Sequence, residues 1–582
     1  MLELVIITGI SLRFGWGVMM ITKTIRELIT PVADELGELL TSAIERDGAE
    51  AKLLGYPMIS DTSGFSKGAI IRLCTTLYIN AKRTSSKKCD GYLARMMKAF
   101  DLLTKDDELR TWGKLSVLTS LLALKDSGEL RLIPEKTMSL LREKSSYDDF
   151  VDLETLAFKK NLPTNYYHVA TECAGKRELL GFEDKGASDI FADKIFSIMK
   201  ANSGDGWMDE APPNGRFDIY SIGNNMNMYN TISEIGKTPP DFITENVRKS
   251  AELLFAMRNV KGYGISYGRS ISMYADKAPI SHLMWALEQG CIPKDAEDEA
   301  LAYIIHCVER LVGFWYEKEK GLCNIWLDGR STEAYRAIHR IFETNSEFVI
   351  GICSLLREAE RLDIADRLPA RDVDEPSEWQ SYSLFFVNEK NKKRALYILR
   401  RGSHMLNLPL IAPATYAMSG AYMPFPHEPM LLESPPADIF MPFLTPKVKM
   451  KSGDYAMPAQ FYESITDERI DGGIVITAKG RMARLVAADE RFVYEPLEAK
   501  FTAKYVFDGN TIRMEFDMED AEGAEILYAG KRVDHVIFPN AKSTVDTDVE
   551  DDARFRAPSG ALPILRTACF DGGSVICEIK LD

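Results

Sequence analysis

The spacing of apolar residues changes once along this 582-residue chain, and the change divides it. From Thr22 to about Leu368, segments such as "TIRELITPVADELGELLTSAI", "ENVRKSAELLFAMRN" and "SEFVIGICSLLREAERLD" repeat apolar residues every three or four positions. That is the period of amphipathic helices. "PARDVDEPSEWQS" then interrupts the pattern. Beyond it, "GGIVITAKG", "EILYAG" and "VFDGNTIRMEFDM" alternate every second residue between DG, GN and GG turns, which predicts antiparallel strands. The expected organisation is an extension at 1–21, a helical domain at 22–370, a linker at 371–380 and an antiparallel β-sandwich at 381–582. About a dozen helices in series, none able to bury its apolar face alone, fit an (α/α) toroid better than a compact bundle.

Bulk properties narrow the partners. With 46% hydrophobic and 27% charged residues the chain reads as soluble and globular. Its net charge of −15 argues against nucleic acid or an anionic membrane surface as partner. A local cluster of arginines can still receive an acidic glycan. The nine cysteines form no CxxC or CxxH, so neither a zinc site nor a disulfide framework is signalled, and no cofactor or metal is expected. Cys291, Cys307, Cys323 and Cys353 sit in apolar surroundings and read as buried thiols, which suits a reducing compartment. The opening "MLELVIITGISLRFGWGVMM" lacks a basic start and a small-residue cleavage site, so a cytoplasmic chain is expected, with secretion left open. Oligomeric state is left open too, a homo-oligomer included.

Three loop regions carry groups that a fold does not require. "GDGWMDEAPPNGRFDIYSIGNNMNMYN" holds Trp207, Asp209, Asp218, Tyr220, Asn224, Asn225 and Asn227. Asn is a poor helix former, because its side chain competes for the backbone, so three of them in four positions point to another demand. "KGYGISYGRSISMYADKAPISH" holds Tyr263, Tyr267, Arg269, Tyr274 and His282, and "LCNIWLDGRSTEAYRAIHRIFE" holds Trp326, Arg330, Tyr335 and His339. A weaker fourth, "LPTNYYHVATECAG", contains His168. Aromatic faces beside Asp, Asn and Arg are the materials of a carbohydrate groove. They also serve as helix caps and loop anchors.

These stretches resemble the (α/α)-toroid polysaccharide lyases of the heparinase, hyaluronate lyase and alginate lyase plan. "DGWMDE…FDIYSIGNNMNMY" and "YGRSISMYADKAPISHLMWAL" are similar, more narrowly, to a poorly characterised bacterial family with DGW…FDYY and YGRS motifs. The resemblance spans about 160–345. It implies β-elimination on a uronate-containing glycan: a base takes the C5 proton, an acid protonates the O4 leaving group, and donors stabilise the charge growing on the carboxylate. Such lyases usually place a His in or near the helix after the aromatic-acidic cluster, where this chain offers only asparagines. Either an Asn neutralises the carboxylate while a Tyr moves the proton, or the chemistry is altered.

In an extended loop Tyr267 and Arg269 would share a face, and a phenol beside a cation has a lowered pKa. The expected catalytic set is therefore Tyr267, Arg269 and Asn225, with His339 and His168 as alternative bases. Trp207, Asp218, Asn224, Tyr263, Tyr274, His282, Trp326, Arg330 and Tyr335 are expected to bind an acidic oligosaccharide or polysaccharide. Two readings compete: a glycoside hydrolase using paired carboxylates among Asp205, Asp209, Glu210 and Asp218, and a sugar-binding protein that catalyses nothing.

Overall fold

The computed structural model describes residues 21–582 apart from 60–64, 106, 156, 160–165, 185, 202, 205–206, 209–216, 269, 328–329, 331–337, 388–392, 412–421, 426, 429, 436–441 and 489–490. Among the described residues twelve α-helices precede the long strands: α1 Ile25–Asp47, α2 Phe65–Arg83, α3 Cys89–Asp101, α4 Thr111–Asp126, α5 Glu135–Lys144, α6 Tyr166–Leu180, α7 Ala187–Ala201, α8 Ile219–Glu234, α9 Asp241–Ala256, α10 Met273–Glu288, α11 Glu297–Arg310 and α12 Ile341–Arg361. The first shows how the sequence sets them. Thr24 and Glu27 form a reciprocal capping box at its start, and Gly48 in the left-handed region (φ 57°) ends it. Between them Ile25, Ile29, Val32, Leu36, Leu40 and Ile44 bury one stripe.

The helices close a ring. α2 packs on α4, α4 on α6, α6 on α8, α8 on α10, α10 on α12, and α12 on α2. The six even-numbered helices thus form the inner wall, with α1, α3, α7, α9 and α11 against it from outside. α2 and α4 meet at Gly68 and Gly113, where a Cβ on Gly68 would lie 2.8 Å from the Gly113 Cα. α1 meets α12, and Arg26 donates to Glu360 and, at 2.8 Å, to Asp366. Strand pairing in this half, among the described residues, is limited to two-residue ladders such as Ser203–Gly204 with Trp207–Met208.

The second half is antiparallel sheet. Gln380–Val387, Lys393–Arg401 and His404–Leu410 make a three-stranded sheet. A ten-stranded sheet follows, with the long strands Tyr455–Ile470, Gly473–Ala488 and Arg491–Asp508 adjacent in it. Because side chains alternate along a strand, Lys393–Arg401 serves two cores. Ala395, Tyr397 and Leu399 pack with the large sheet, while Leu396 and Ile398 pack with Phe217, Ile222, Leu254 and Tyr267 of the helical half. The small sheet is therefore a middle layer between ring and large sheet.

The connecting segment is tied to both sides. Trp379 donates to Gly509 O at 3.1 Å and stacks edge-on against Phe507. Asp372 accepts from His306 of α11 at 2.7 Å. All nine cysteines are free, and Cys291 is only partly buried, in contrast to the expectation for it. No helix of the described residues is long and apolar enough to cross a membrane, and none of their His, Cys, Asp and Glu groupings could hold a metal. Residues 1–20, expected to be an extension, lie outside the described residues.

Candidate active site

The asparagine-rich helix α8 belongs to the inner wall of the ring. Asp218 caps it, accepting from Tyr220 N at 2.8 Å while its own N–H donates to Ser221 Oγ at 3.2 Å. At 100° per residue, positions 220, 224 and 227 fall on one stripe, and seven residues of rise separate its ends by about 10 Å. Each end has a partner from a neighbouring segment. The Tyr220 hydroxyl lies 3.0 Å from Ser270 Oγ, and Asn227 Nδ2 lies 3.2 Å from His168 Nε2 on α6. Between them Asn224 is buried, and its Nδ2 donor finds no acceptor among the described residues. A Cβ added at Gly223, about 100° round the helix from Asn224, would meet no described atom within 4 Å.

His168 of α6 stands beside the asparagines of α8. It is buried, and burial lowers its pKa to about 3, so the ring is neutral. A neutral Nε2 accepts from the Asn227 amide and leaves the proton on Nδ1. Trp112 on α4 packs edge-on against the imidazole with ring centroids 5.9 Å apart. Three inner helices, α4, α6 and α8, thus converge through Trp112, His168 and Asn227.

Two expected catalytic groups take other positions. Asn225 lies one residue, hence about 100°, off the stripe. It is fully buried, donates to Ser221 O at 2.8 Å and accepts from Asn246 Nδ2 on α9 at 3.1 Å, so it joins two helices and does not pair with Tyr267. Tyr267 lies in the apolar layer between ring and small sheet, fully buried, its hydroxyl without a partner among the described residues. Its pKa is pushed up by burial and by Asp218, the reverse of the expected lowering. The premise of an extended loop fails at Gly268 (φ 81°) and Ser270 (φ 58°), which break the two-residue alternation. Gly268 is required there: a Cβ would stand 2.6 Å from that of Asp218.

The rest of this loop is a scaffold. Asn259 binds its two ends, accepting from the N–H groups of Lys261 and Tyr263 at 3.1 Å and donating to Met257 O and Tyr263 O at 2.8 Å. Asp276 accepts from Gly264 N at 3.0 Å, Arg310 Nε at 2.7 Å and Trp315 Nε1 at 2.8 Å. Arg310 in turn covers the ring of Tyr263 at 3.7 Å. Ser266 donates to the buried Glu428 and accepts from Asn407, tying the loop to the β half.

Several expected binding residues are structural as well. Asp218, buried, caps α8 and accepts from the Tyr422 hydroxyl. Arg330 pins its own loop through Phe314 O at 2.9 Å and Glu317 at 3.0 Å. His282 is buried inside α10 with Nδ1 against Ala278 O at 2.9 Å, and burial lowers its pKa to about 4. Tyr263 is held under Arg310. Trp326 starts a turn on Asn324, whose Oδ1 its N–H reaches at 3.1 Å. His339 is exposed in a short 3-10 turn, Ile338–Arg340. Tyr274 faces a cavity and donates to Glu347 at 2.6 Å. The backbone of Trp207 pairs with Gly204. Arg269, Tyr335, Asp205, Asp209 and Glu210 lie outside the described residues.

Tyr220 and Asn227 were absent from the expected site set. The signal for them was present: helical spacing groups 220 with 224 and 227 and sets 225 aside.

No family model and no curated protein matches the chain. Solved structures do. Chondroitin AC lyase of Streptomyces coelicolor A3, in complex with chondroitin sulphate, aligns over 95% of this chain and 79% of its own, at 12% identity and a TM-score of 0.52. The fold is shared. Heparan sulfate lyase HepC of Pedobacter heparinus aligns over 96% and 84% at 8% identity with a TM-score of 0.36. A family 88 glycosyl hydrolase of Bacteroides vulgatus aligns over 56% and 99% at 10% identity, also with a TM-score of 0.36.

Proposed function

We propose that this protein is a lyase that cleaves a uronate-containing oligosaccharide or polysaccharide by β-elimination. The observation that carries the reading is the α8 stripe: an unpartnered buried amide, Asn224, between a phenol and a histidine-oriented amide, Asn227. Amide donors suit a carboxylate whose charge grows in the transition state, because they stabilise it without fully neutralising it beforehand. The fold shared with the chondroitin lyase supports the substrate class.

In this reading Asn224 and Asn227 hold the uronate carboxylate, and His168 is a positioning residue that fixes the Asn227 amide. Tyr220 moves the proton. Its phenolate takes hydrogen from C5, the C5 electron pair forms the C4–C5 double bond, the C4–O4 bond breaks, and the phenol returns the proton to O4. Arg269, next in sequence to Ser270, is proposed as the cation that favours the phenolate. Tyr267, held in the interdomain core, takes no part.

Elimination leaves an unsaturated uronate that absorbs in the ultraviolet, whereas hydrolysis does not. The test is incubation with chondroitin, heparan sulfate, hyaluronate and alginate, following ultraviolet absorbance and product size together. Shorter products that absorb support the lyase. Shorter products without absorbance establish the hydrolase, and no shortening of any of the four removes the assignment.

A further inference from the structure

A cavity of about 220 Å³ lies within the ring, lined from α2, α4, α10 and α12. Trp112 is common to this cavity and to the His168 end of the α8 stripe, so the two are neighbours. Its walls combine aromatic faces, Trp112 and Tyr274, with two cations, Arg72 and Lys277, and one carboxylate, Glu347. Glu347 accepts from the Tyr274 hydroxyl at 2.6 Å. Among the described residues, the side chains of Arg72 and Lys277, on α2 and α10, make neither a hydrogen bond nor an ion pair. The Lys277 ammonium lies against α12, where a Cβ on Gly351 would stand 3.2 Å from Nζ.

This arrangement is unusual for a chain of net charge −15. Two cations meet one carboxylate in a confined space, and Arg357 lies further along α12, one turn beyond the cavity residue Ser354 to which it donates at 3.4 Å. Burial, with the charge of Arg72 adding to it and that of Glu347 opposing it, lowers the Lys277 pKa, and burial lowers that of Arg357. Unpaired cations in a confined site cost stability, so their presence calls for a visiting anion.

We propose that this cavity is a subsite for one anionic sugar residue, its carboxylate or sulfate held by Lys277 and Arg72 and its ring against Trp112 and Tyr274. The volume is below the 300–1,000 Å³ common for drug-sized ligands and accommodates one small residue, not a stretch of polymer. The subsite rests on the glycan reading above and deepens it: a cavity beside the His168 end of the stripe receives a sugar residue of the chain whose uronate lies on the stripe.

Calorimetric titration of the full chain with glucuronate, glucose 6-sulfate, glucose and inorganic sulfate tests it. At least one sugar anion should bind about tenfold more tightly than glucose, and also more tightly than inorganic sulfate. The preferred sugar anion identifies the group recognised. Lys277→Met and Arg72→Met should each weaken that binding about tenfold with no fall in melting temperature. Equal affinity for glucose, tighter binding of inorganic sulfate, or unchanged affinity in both folded variants would overturn the subsite. Because the readout is binding, turnover of a uronate glycan without monosaccharide binding defeats the subsite alone. Monosaccharide binding without any shortened glycan defeats the lyase alone.

Discussion

The wall of the ring around α8 and the junction between ring and sheets use the same residue types in opposite ways. At the junction several polar groups are matched with one another: Asp218 with Tyr422, Ser266 with Glu428 and Asn407, and His306 with Asp372. On the α8 stripe Asn224 keeps a donor without an acceptor. Buried polar groups are normally paired, so an unpaired donor on the inner wall, between two side chains that meet neighbouring segments, is a candidate for a ligand. Tyr267 shows the limit of that rule. Its hydroxyl is also unpartnered among the described residues, but it is packed within the apolar layer between ring and small sheet, where it is a cost of packing.

Substitutions on the two sides should separate accordingly. The largest contrast is between the two tyrosines. Tyr220→Phe should lower turnover of a uronate glycan by about 10²–10⁴ with an unchanged melting curve, whereas a Tyr220→Phe enzyme of normal rate would end the proton-transfer assignment. Next, Asn224→Ala should cost about 10²–10³ in kcat, the scale of one oxyanion donor. Asn225→Ala, its neighbour, should instead lose about 1–3 kcal/mol of stability through its buried bonds while the folded fraction keeps its rate. Reversed outcomes would restore Asn225 as the reacting amide.

At the junction the handle is pH. Burial alone would lower the His306 pKa, but hydrogen bonds to Asp372 and Glu309 outweigh it and raise it to about 9, above the unperturbed 6.5. The contribution is therefore fully present below about pH 6.5 and is lost as pH rises through 9, amounting to about 3 kcal/mol at most. Urea unfolding at pH 7 and pH 10 should show the loss, and His306→Gln should reduce it. The smallest effect is expected of Tyr267→Phe. Removing an unpaired buried hydroxyl should leave the rate unchanged and stability unchanged or higher by about 1 kcal/mol. A fall in rate comparable with that of Tyr220→Phe would place Tyr267 back in the site.

Much of the architecture was legible because periodicity reports burial directly. The helix-to-strand change falls between Arg361 and Gln380, where the apolar spacing changes. Composition pointed to candidate groups, but their positions relative to one another were much less legible. The asparagines of α8 were read as exceeding what folding needs, and Asn225 was preferred over its neighbours, although one residue turns a helix by 100° and the structure ties Asn225 to Ser221 and Asn246. Tyr267 failed for a different reason. The loop's two-residue alternation depended on backbone angles at Gly268 and Ser270, and positive φ at a serine cannot be read from a sequence. His168 reaches Asn227 only through the packing of α6 on α8, a contact across 59 residues. No local pattern carries such a contact.

Ring closure has a kinetic consequence. The contact between α1 and α12 joins residues more than 300 positions apart, as between Arg26 and Glu360. Loop-closure entropy must be overcome before such a contact forms, and chains rich in distant contacts fold slowly. During synthesis α1 and α2 emerge long before α12 exists, leaving their apolar flanks uncovered until about residue 361 has left the ribosome. Chaperone dependence and aggregation of shortened chains should therefore rise sharply for truncations ending before α12. Ends that meet in space also make the helical ring a candidate for circular permutation, with new termini at an outer turn such as Ser127–Gly128 between α4 and α5.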